Sequence, residues 1–243
     1  MKVIPDGVGI PTPPHPYYPL EIQIAGYLAN EWGVPTLLFL FASGCTAIFS
    51  VAYIVATRIR PQISTPDLIT IMWFVLSGSI HLFFEGFYVY NYKDMGSLQN
   101  LFGQLWKEYA LSDSRYLTQD PFVLCMETIT AVTWGPLSFA VAAMIIKASP
   151  YRYPFQAIVS LGQIYGDVLY YGTATFDHWF YQKTYCRPES YYYWVYFILM
   201  NAFWIVIPGI LLTNSVTATA RAFRGLSRME RTLNSNGSAK KSL

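Results

Sequence analysis

The chain has 243 residues, of which 53% are hydrophobic and only 12% charged, with a mean hydropathy of +0.30; a soluble domain carries roughly 25% charged residues. The net charge of +2 gives no reason to expect a nucleic-acid partner. Cys45, Cys125 and Cys186 show no CxxC spacing, which argues against a disulfide framework.

Residues 1–32 carry Pro5, Pro11, Pro13, Pro14, Pro16 and Pro19 with Asp6 and Glu21, and lack a basic region followed by an apolar run. No cleavable signal peptide is expected there. Five apolar stretches of bilayer-spanning length follow, at residues 33–57, 66–90, 121–146, 154–176 and 191–213. The first has no ionisable group, whereas each of the other four holds polar residues at membrane depth. Between the second and third, "LFGQLWKEYALSDSRY" places Leu98, Leu101, Phe102, Leu105, Trp106 and Tyr109 at helical spacing, which predicts an interfacial helix lying on the lumenal leaflet. The 177–190 loop is short and polar. Residues 232–243, "TLNSNGSAKKSL", have the composition of a disordered tail.

The predicted fold is an all-α integral membrane protein, a bundle of five transmembrane helices with an interior lipid-accessible cavity. Residues 1–32 form a proline-rich lumenal segment, 33–214 the transmembrane domain that carries the chemistry, and 215–243 a basic cytosolic tail. Orientation follows from the basic residues. Arg58 and Arg60, Lys147 and Arg152, and Arg221, Arg224, Arg228 and Arg231 follow the first, third and fifth spans, while the opposite side is mixed or acidic. The closing "AKKSL" places Lys240 and Lys241 at a cytosolic terminus, similar to the dilysine retrieval signal of endoplasmic reticulum membrane proteins.

A charge at the bilayer centre costs on the order of 3 kcal/mol or more, so intramembrane ionisable residues are functional candidates by default. In "SIHLFFEGFY", His81 and Glu85 are spaced i, i+4 on one helix face. In "CMETITAVTW", Glu127, Thr130 and Trp134 share a face. "GQIYGDVLYY" repeats the i, i+4 spacing with Gln163 and Asp167, beside the small-xxx-small pair Gly162 and Gly166. "MNAFW" sets Asn201 and Trp204 together. Four helices thus present polar or aromatic groups that can line one pocket. Each also has a structural reading: His81–Glu85 as a hydrogen-bonded pair, Gln163 and Asp167 as support for a close helix contact, Asn201 as interhelical glue, and Trp204 as core or belt. Glu127 resists this reading, because a carboxylate without a neighbouring base in an apolar span must be protonated or paired across helices.

His15, His81 and His178 lie far apart, so no metal site is expected. No nucleophile elbow or glycine-rich phosphate loop is present and no cofactor is implied. What remains is chemistry that needs only protons. A histidine with carboxylates in a dry aromatic cavity is equipped to protonate an alkene and to hold the resulting carbocation against carboxylate charge and aromatic faces such as Trp134, Trp204 and Tyr116.

"GSIHLFFEGFYV", "QLWKEYALSDSRY", "CMETITAVTWGPLS", "VSLGQIYGDVLY" and "FILMNAFWIVIPG" together resemble the emopamil-binding protein family, the sterol Δ8 to Δ7 isomerases, across roughly residues 66–213. The N-terminal "HPYYP" is similar to that family's opening. The resemblance implies a five-helix fold in the endoplasmic reticulum and a sterol-sized cavity open toward the bilayer. It puts the acid and base residues on His81, Glu85 and Glu127, with Tyr116, Thr130, Asn201 and Trp204 as pocket partners. On this reading His81 or Glu85 supplies the proton, Glu127 receives one or balances the cation, Asn201 and Trp204 hold the intermediate, and Asp167 is support. Lipophilic amines, which mimic the cation, are expected to bind. The long proline-rich N-terminus and the tyrosine-rich 177–196 region depart from the family pattern. Two other readings use the same equipment: a proton-initiated terpenoid or meroterpenoid cyclase, and a non-catalytic sterol- or amine-binding membrane protein. Besides membrane lipid, a homodimer stays open as a partner.

Overall fold

The structure, a computed structural model, describes residues 15–240, with side chains through residue 233. It is helical, with no strand among the described residues. The prolines before residue 15 and Lys241 lie outside the described residues.

Helix α1 (Val34–Ile59) buries only Leu37, Ala52 and Ala56. Its Ser43, Thr46, Ser50 and Thr57 hydroxyls donate back to carbonyls four residues earlier, so none needs a partner from lipid. Helix α2 (Thr65–Asn91) starts at Ser64, whose side chain accepts the Asp67 amide. Asn100 caps α3 (Leu101–Tyr109), and Asp120, followed by Pro121, caps α4 (Pro121–Ile146). Helix α5 (Arg152–Tyr181) stops at Gln182, which turns into the left-handed region at φ 53°. Helix α6 opens with Tyr192–Leu199 and runs on through Met200–Lys240. The tail predicted as disordered from residue 232 is therefore helical to Lys240, because the helix that crosses the bundle simply continues.

Among the described residues four helices qualify by length and apolarity to cross a membrane, α1, α2, α4 and α6, rather than the five expected. The fourth expected span, α5, is 30 residues long, but Gln156, Gln163, Asp167 and Asp177 dilute its hydropathy. Its place in the bundle comes from pairing with α6. Gln156 donates to the Leu211 carbonyl at 3.0 Å and Tyr171 to that of Ile198 at 2.7 Å. The two helices are therefore antiparallel, and α5 lies at the depth of the 198–211 stretch of α6. Consecutive helices otherwise pack in order, α1 on α2, α2 on α4, and α4 on α5. At one end Asp67 accepts from Arg152 at 2.5 Å with Arg60 3.7 Å away, tying the starts of α2 and α5 to the end of α1.

Three stretches of these helices are wound as π-helix: Ile80–Glu85 in α2, Thr130–Trp134 in α4 and Tyr192–Leu199 in α6. In each the closing bond spans five residues: Gly86 to the His81 carbonyl, Gly135 to Thr130, and Met200 to Val195. The first two pack against each other. Gly135 permits this: a Cβ there would sit 3.0 Å from the Leu82 amide nitrogen and 3.1 Å from its Cβ. The two polar segments singled out in the sequence are thus the two wide turns at the α2–α4 contact.

The expected amphipathic helix forms, and protein covers part of both its faces. In α3, Gln104, Trp106 and Lys107 are buried, and the Trp106 indole donates to the Phe84 carbonyl at 3.0 Å. The face read as lipid-facing meets Phe84, Tyr88 and Tyr116 instead. The N-terminal segment covers α3 from the other side. Tyr17 donates to the Lys107 carbonyl, Gln104 accepts the Glu31 and Trp32 amides, and Lys107 Nζ reaches the Leu28 carbonyl at 2.7 Å.

Burial holds the Lys107 ammonium down to about 8 against a model-peptide 10.5, partly offset by Glu31. The folded state therefore releases its proton at a lower pH than the unfolded chain, and stability rises as pH increases from about 8 to 10.5. Melting curves across that window should shift to higher temperature as pH rises, and Lys107→Met should flatten the rise.

Candidate active site

The wide turn of α2 sets His81 and Glu85 face to face. The imidazole Nδ1 lies 2.8 Å from Glu85 Oε2 and 3.0 Å from Oε1, and both residues are buried. The other ring nitrogen is 3.1 Å from Gln163 Nε2 of α5. An amide N–H donates, so a neutral imidazole in this frame accepts at Nε2 and carries its proton on Nδ1, directed at Glu85. Taking up a second proton at Nε2 requires the Gln163 amide to turn over and present its oxygen, which is buried without a partner. Gln163, expected to be support for a helix contact, is in direct contact with the imidazole.

Glu127 of α4 comes within electrostatic reach of both Glu85 and His81. Its Oε1 accepts the Tyr116 hydroxyl at 2.6 Å. Tyr116 stands on a short turn after α3 and is held among Trp106, Tyr88 and Tyr109, with ring centroids 4.7, 5.1 and 5.5 Å away. Burial raises the Tyr116 and Tyr109 hydroxyls well above the usual phenol range, so both stay protonated and act as donors. Just before Tyr116, Arg115 forms a buried bidentate pair with Asp113 and reaches the Thr173 hydroxyl and Tyr170 carbonyl of α5.

Trp204 of α6 covers His81 with ring centroids 4.6 Å apart, and Trp73 backs Trp204 at 5.1 Å. Asn201, one turn before Trp204, donates to the Phe197 carbonyl and exchanges hydrogen bonds with the Tyr109 hydroxyl. Thr130 donates back to the Met126 carbonyl of its own helix and is half-buried. Trp134 lies against Gly162, where a Cβ would fall 2.6 Å from Cε2 of the indole. Gly166 faces open space, so the small-residue pair predicted for close helix contact works through Gly162 alone. Asp167 is buried, and its Oδ2 has no partner.

His81, Glu85, Glu127, Tyr116, Trp204 and Gln163 therefore converge, whereas Asn201 is bound to Tyr109 and Thr130 to its own backbone. His81 touches Glu85, Gln163 and Trp204, and Glu127 touches Tyr116. An open apolar groove of about 560 Å³ lies along α5 between Val168 and Phe180. Sequence reasoning missed Trp73, Tyr109 and the direct role of Gln163. Trp73 had a readable signal, since Trp73, Ser77 and His81 fall at successive spacings of four.

A family model described as EXPERA (EXPanded EBP superfamily) matches residues 101–215. The 3-beta-hydroxysteroid-Delta(8),Delta(7)-isomerase of Rattus norvegicus is 35% identical over 208 residues, covering 84% of this chain and 88% of that protein. The chain belongs to the EXPERA family. The enzyme of the same name from Cavia porcellus is 36% identical over 208 residues with the same coverage. Isomeliandiol synthase of Melia azedarach is 35% identical over 148 residues, 60% of this chain and 66% of its own. The EXPERA match spans α3 to the middle of α6 and so includes Tyr116, Glu127 and Trp204, while His81 and Glu85 reach them through the α2–α4 contact.

Gly162→Ala drives a methyl group into the Trp134 indole and should lower stability by about 1–3 kcal/mol, whereas Gly166→Ala should be neutral. Paired melting curves of the two variants check this directly.

Proposed function

We propose that this protein is a 3β-hydroxysteroid Δ8 to Δ7 isomerase. The observation that carries the reading is the convergence of the His81–Glu85 pair and Glu127, from two different spans, beneath the Trp204 face. Similarity to relatives named for this activity supports it.

The chemistry is a proton added and a proton removed. Protonating C9 of the C8=C9 alkene takes its π pair into a new C–H bond and leaves a tertiary cation at C8. Loss of a proton from C7 returns the C–H pair to form C7=C8. The His81–Glu85 pair delivers the first proton and Glu127 takes the second. Glu127 also supplies negative charge to the cation, and Trp204 offers it an aromatic face. Tyr116 fixes one oxygen of Glu127, whose carboxyl group also meets that of Glu85 and so links the acid pair to the base. The dry aromatic surroundings keep water from trapping the cation.

The same reading carries the protein's setting. It resides in the endoplasmic reticulum membrane, with its N-terminus lumenal and its C-terminus cytosolic, as the basic residues after α1, α4 and in α6 support. Lipophilic amines occupy the cation's place, since an ammonium carries the same charge in a similar apolar shape.

The relative named isomeliandiol synthase favours a second reading, a different proton-initiated rearrangement on the same scaffold. One experiment separates the two. The chain is expressed in yeast lacking sterol Δ8 to Δ7 isomerase, beside Glu127→Gln and His81→Ala, and sterols are read by mass spectrometry in deuterated water. Conversion of Δ8 to Δ7 sterol with one deuterium gained is expected, and each variant should lose at least about 100-fold in rate. Untouched Δ8 sterol with a folded, membrane-resident protein would sink the isomerase reading.

A further inference from the structure

Beyond its first residue, five side chains of α5 hold a buried polar atom without a hydrogen-bond partner, Gln156, Ser160, Gln163, Asp167 and Tyr170, and the acceptors of Gln163 and Asp167 are the two beside the site. Gln163 Oε1 and Asp167 Oδ2 are both without a hydrogen-bond partner, and their residues are only 5% and 9% exposed. They are spaced i, i+4 on one face, so their side chains are neighbours. Both point inward: Gln163 touches the His81 imidazole, and Asp167 is within electrostatic reach of Glu127. Leaving a buried acceptor unpaired costs free energy, and two of them side by side within a site are groups that await a donor.

We infer that Gln163 and Asp167 form the subsite that binds a hydroxyl group of the substrate, on the isomerase reading the 3β-hydroxyl of the sterol. A hydroxyl has one hydrogen to give and two lone pairs. It donates to one of the two orphaned oxygens and still accepts from whatever N–H or O–H stands beside it. Asp167 sits four residues, about 6 Å along the helix, beyond the residue that touches His81, and in a sterol the ring A hydroxyl is separated from the C8=C9 bond by two fused rings. A sterol held by its hydroxyl at Asp167 thus brings that bond to the His81 side of the site. Asp167, expected to be support, becomes a specificity-determining residue: it sets which carbon meets the acid.

This inference rests on the isomerase reading for the name of its ligand, and the test separates the two. Displacement of a bound lipophilic tertiary amine is measured on the full-length protein in lipid nanodiscs, using a Δ8 sterol with a free 3β-hydroxyl and its 3-methyl ether, which cannot donate. The wild type is expected to bind the free hydroxyl at least about tenfold more tightly, the worth of one well-placed hydrogen bond in a buried site. Asp167→Ala should lose that preference by weakening the free sterol while leaving the ether unchanged. In turnover it should lower kcat/KM for the free sterol at least about tenfold while leaving that for the ether unchanged. Equal binding of the two sterols by the wild type would overturn the subsite without recourse to any variant, and so would an Asp167→Ala protein that keeps the preference. A protein that prefers the free hydroxyl through Asp167 yet isomerises neither sterol would uphold the subsite and remove the isomerase reading.

Discussion

A carboxyl group set inside an apolar bundle has to be given a partner, and Glu127 receives one from outside the spans. The Tyr116 hydroxyl 2.6 Å from its Oε1 comes from the connection between α2 and α4, and much of the molecule serves to hold it there. Arg115, bonded to Asp113, fastens the connection to α5 through Thr173 and Tyr170. Trp106 pins α3 to α2 through the Phe84 carbonyl. The N-terminal segment closes over α3 by Tyr17, Gln104 and Lys107. Removing one member of a buried ion pair such as Asp113–Arg115 typically costs about 3–5 kcal/mol, and here the loss would be transmitted to the position of Tyr116.

The imidazole is balanced between two helices. Its Nδ1 faces Glu85 on its own helix and its Nε2 faces an amide on α5. Where a proton resides on His81 is therefore coupled to which way the Gln163 amide is turned. Rotation of that one amide exchanges a donor for an acceptor at Nε2.

The ionisable residues were legible because an apolar stretch makes a charge conspicuous: His81, Glu85 and Glu127 stood out against their neighbours. Their partners did not. Gln163 bonds His81 across 82 positions, and Asn201 bonds Tyr109 across 92; spacing within one helix carries no information about either. The periodicity of 98–109 correctly announced an amphipathic helix, yet an apolar face is the same whether lipid or protein covers it, and the buried Gln104 and Lys107 lie among the residues that read as polar. The polar composition of 154–176 pulled in two directions, since the residues that mark its inner face are those that lower its hydropathy. The widened turns left no trace, because a five-residue hydrogen bond is chosen by packing and not by any local residue preference.

Those turns give this protein an unusual relation to its own gene. Each π stretch holds more residues than an α-helix of the same rise would need, so the chain carries an insertion in its register at 80–85, at 130–134 and again at 192–199. In-frame loss of a single codon within 80–85 would not break the helix. It would let the segment relax to ordinary α winding, and because the wide turn already absorbs one extra residue, the residues beyond it would keep their faces. Tyr88 would stay beside Tyr116, but a loss between His81 and Glu85 would shorten their spacing from four to three and remove the wide turn that packs against Thr130–Trp134, in a protein whose composition and hydropathy were almost unchanged. Over these stretches the spacing of codons matters as much as their identity.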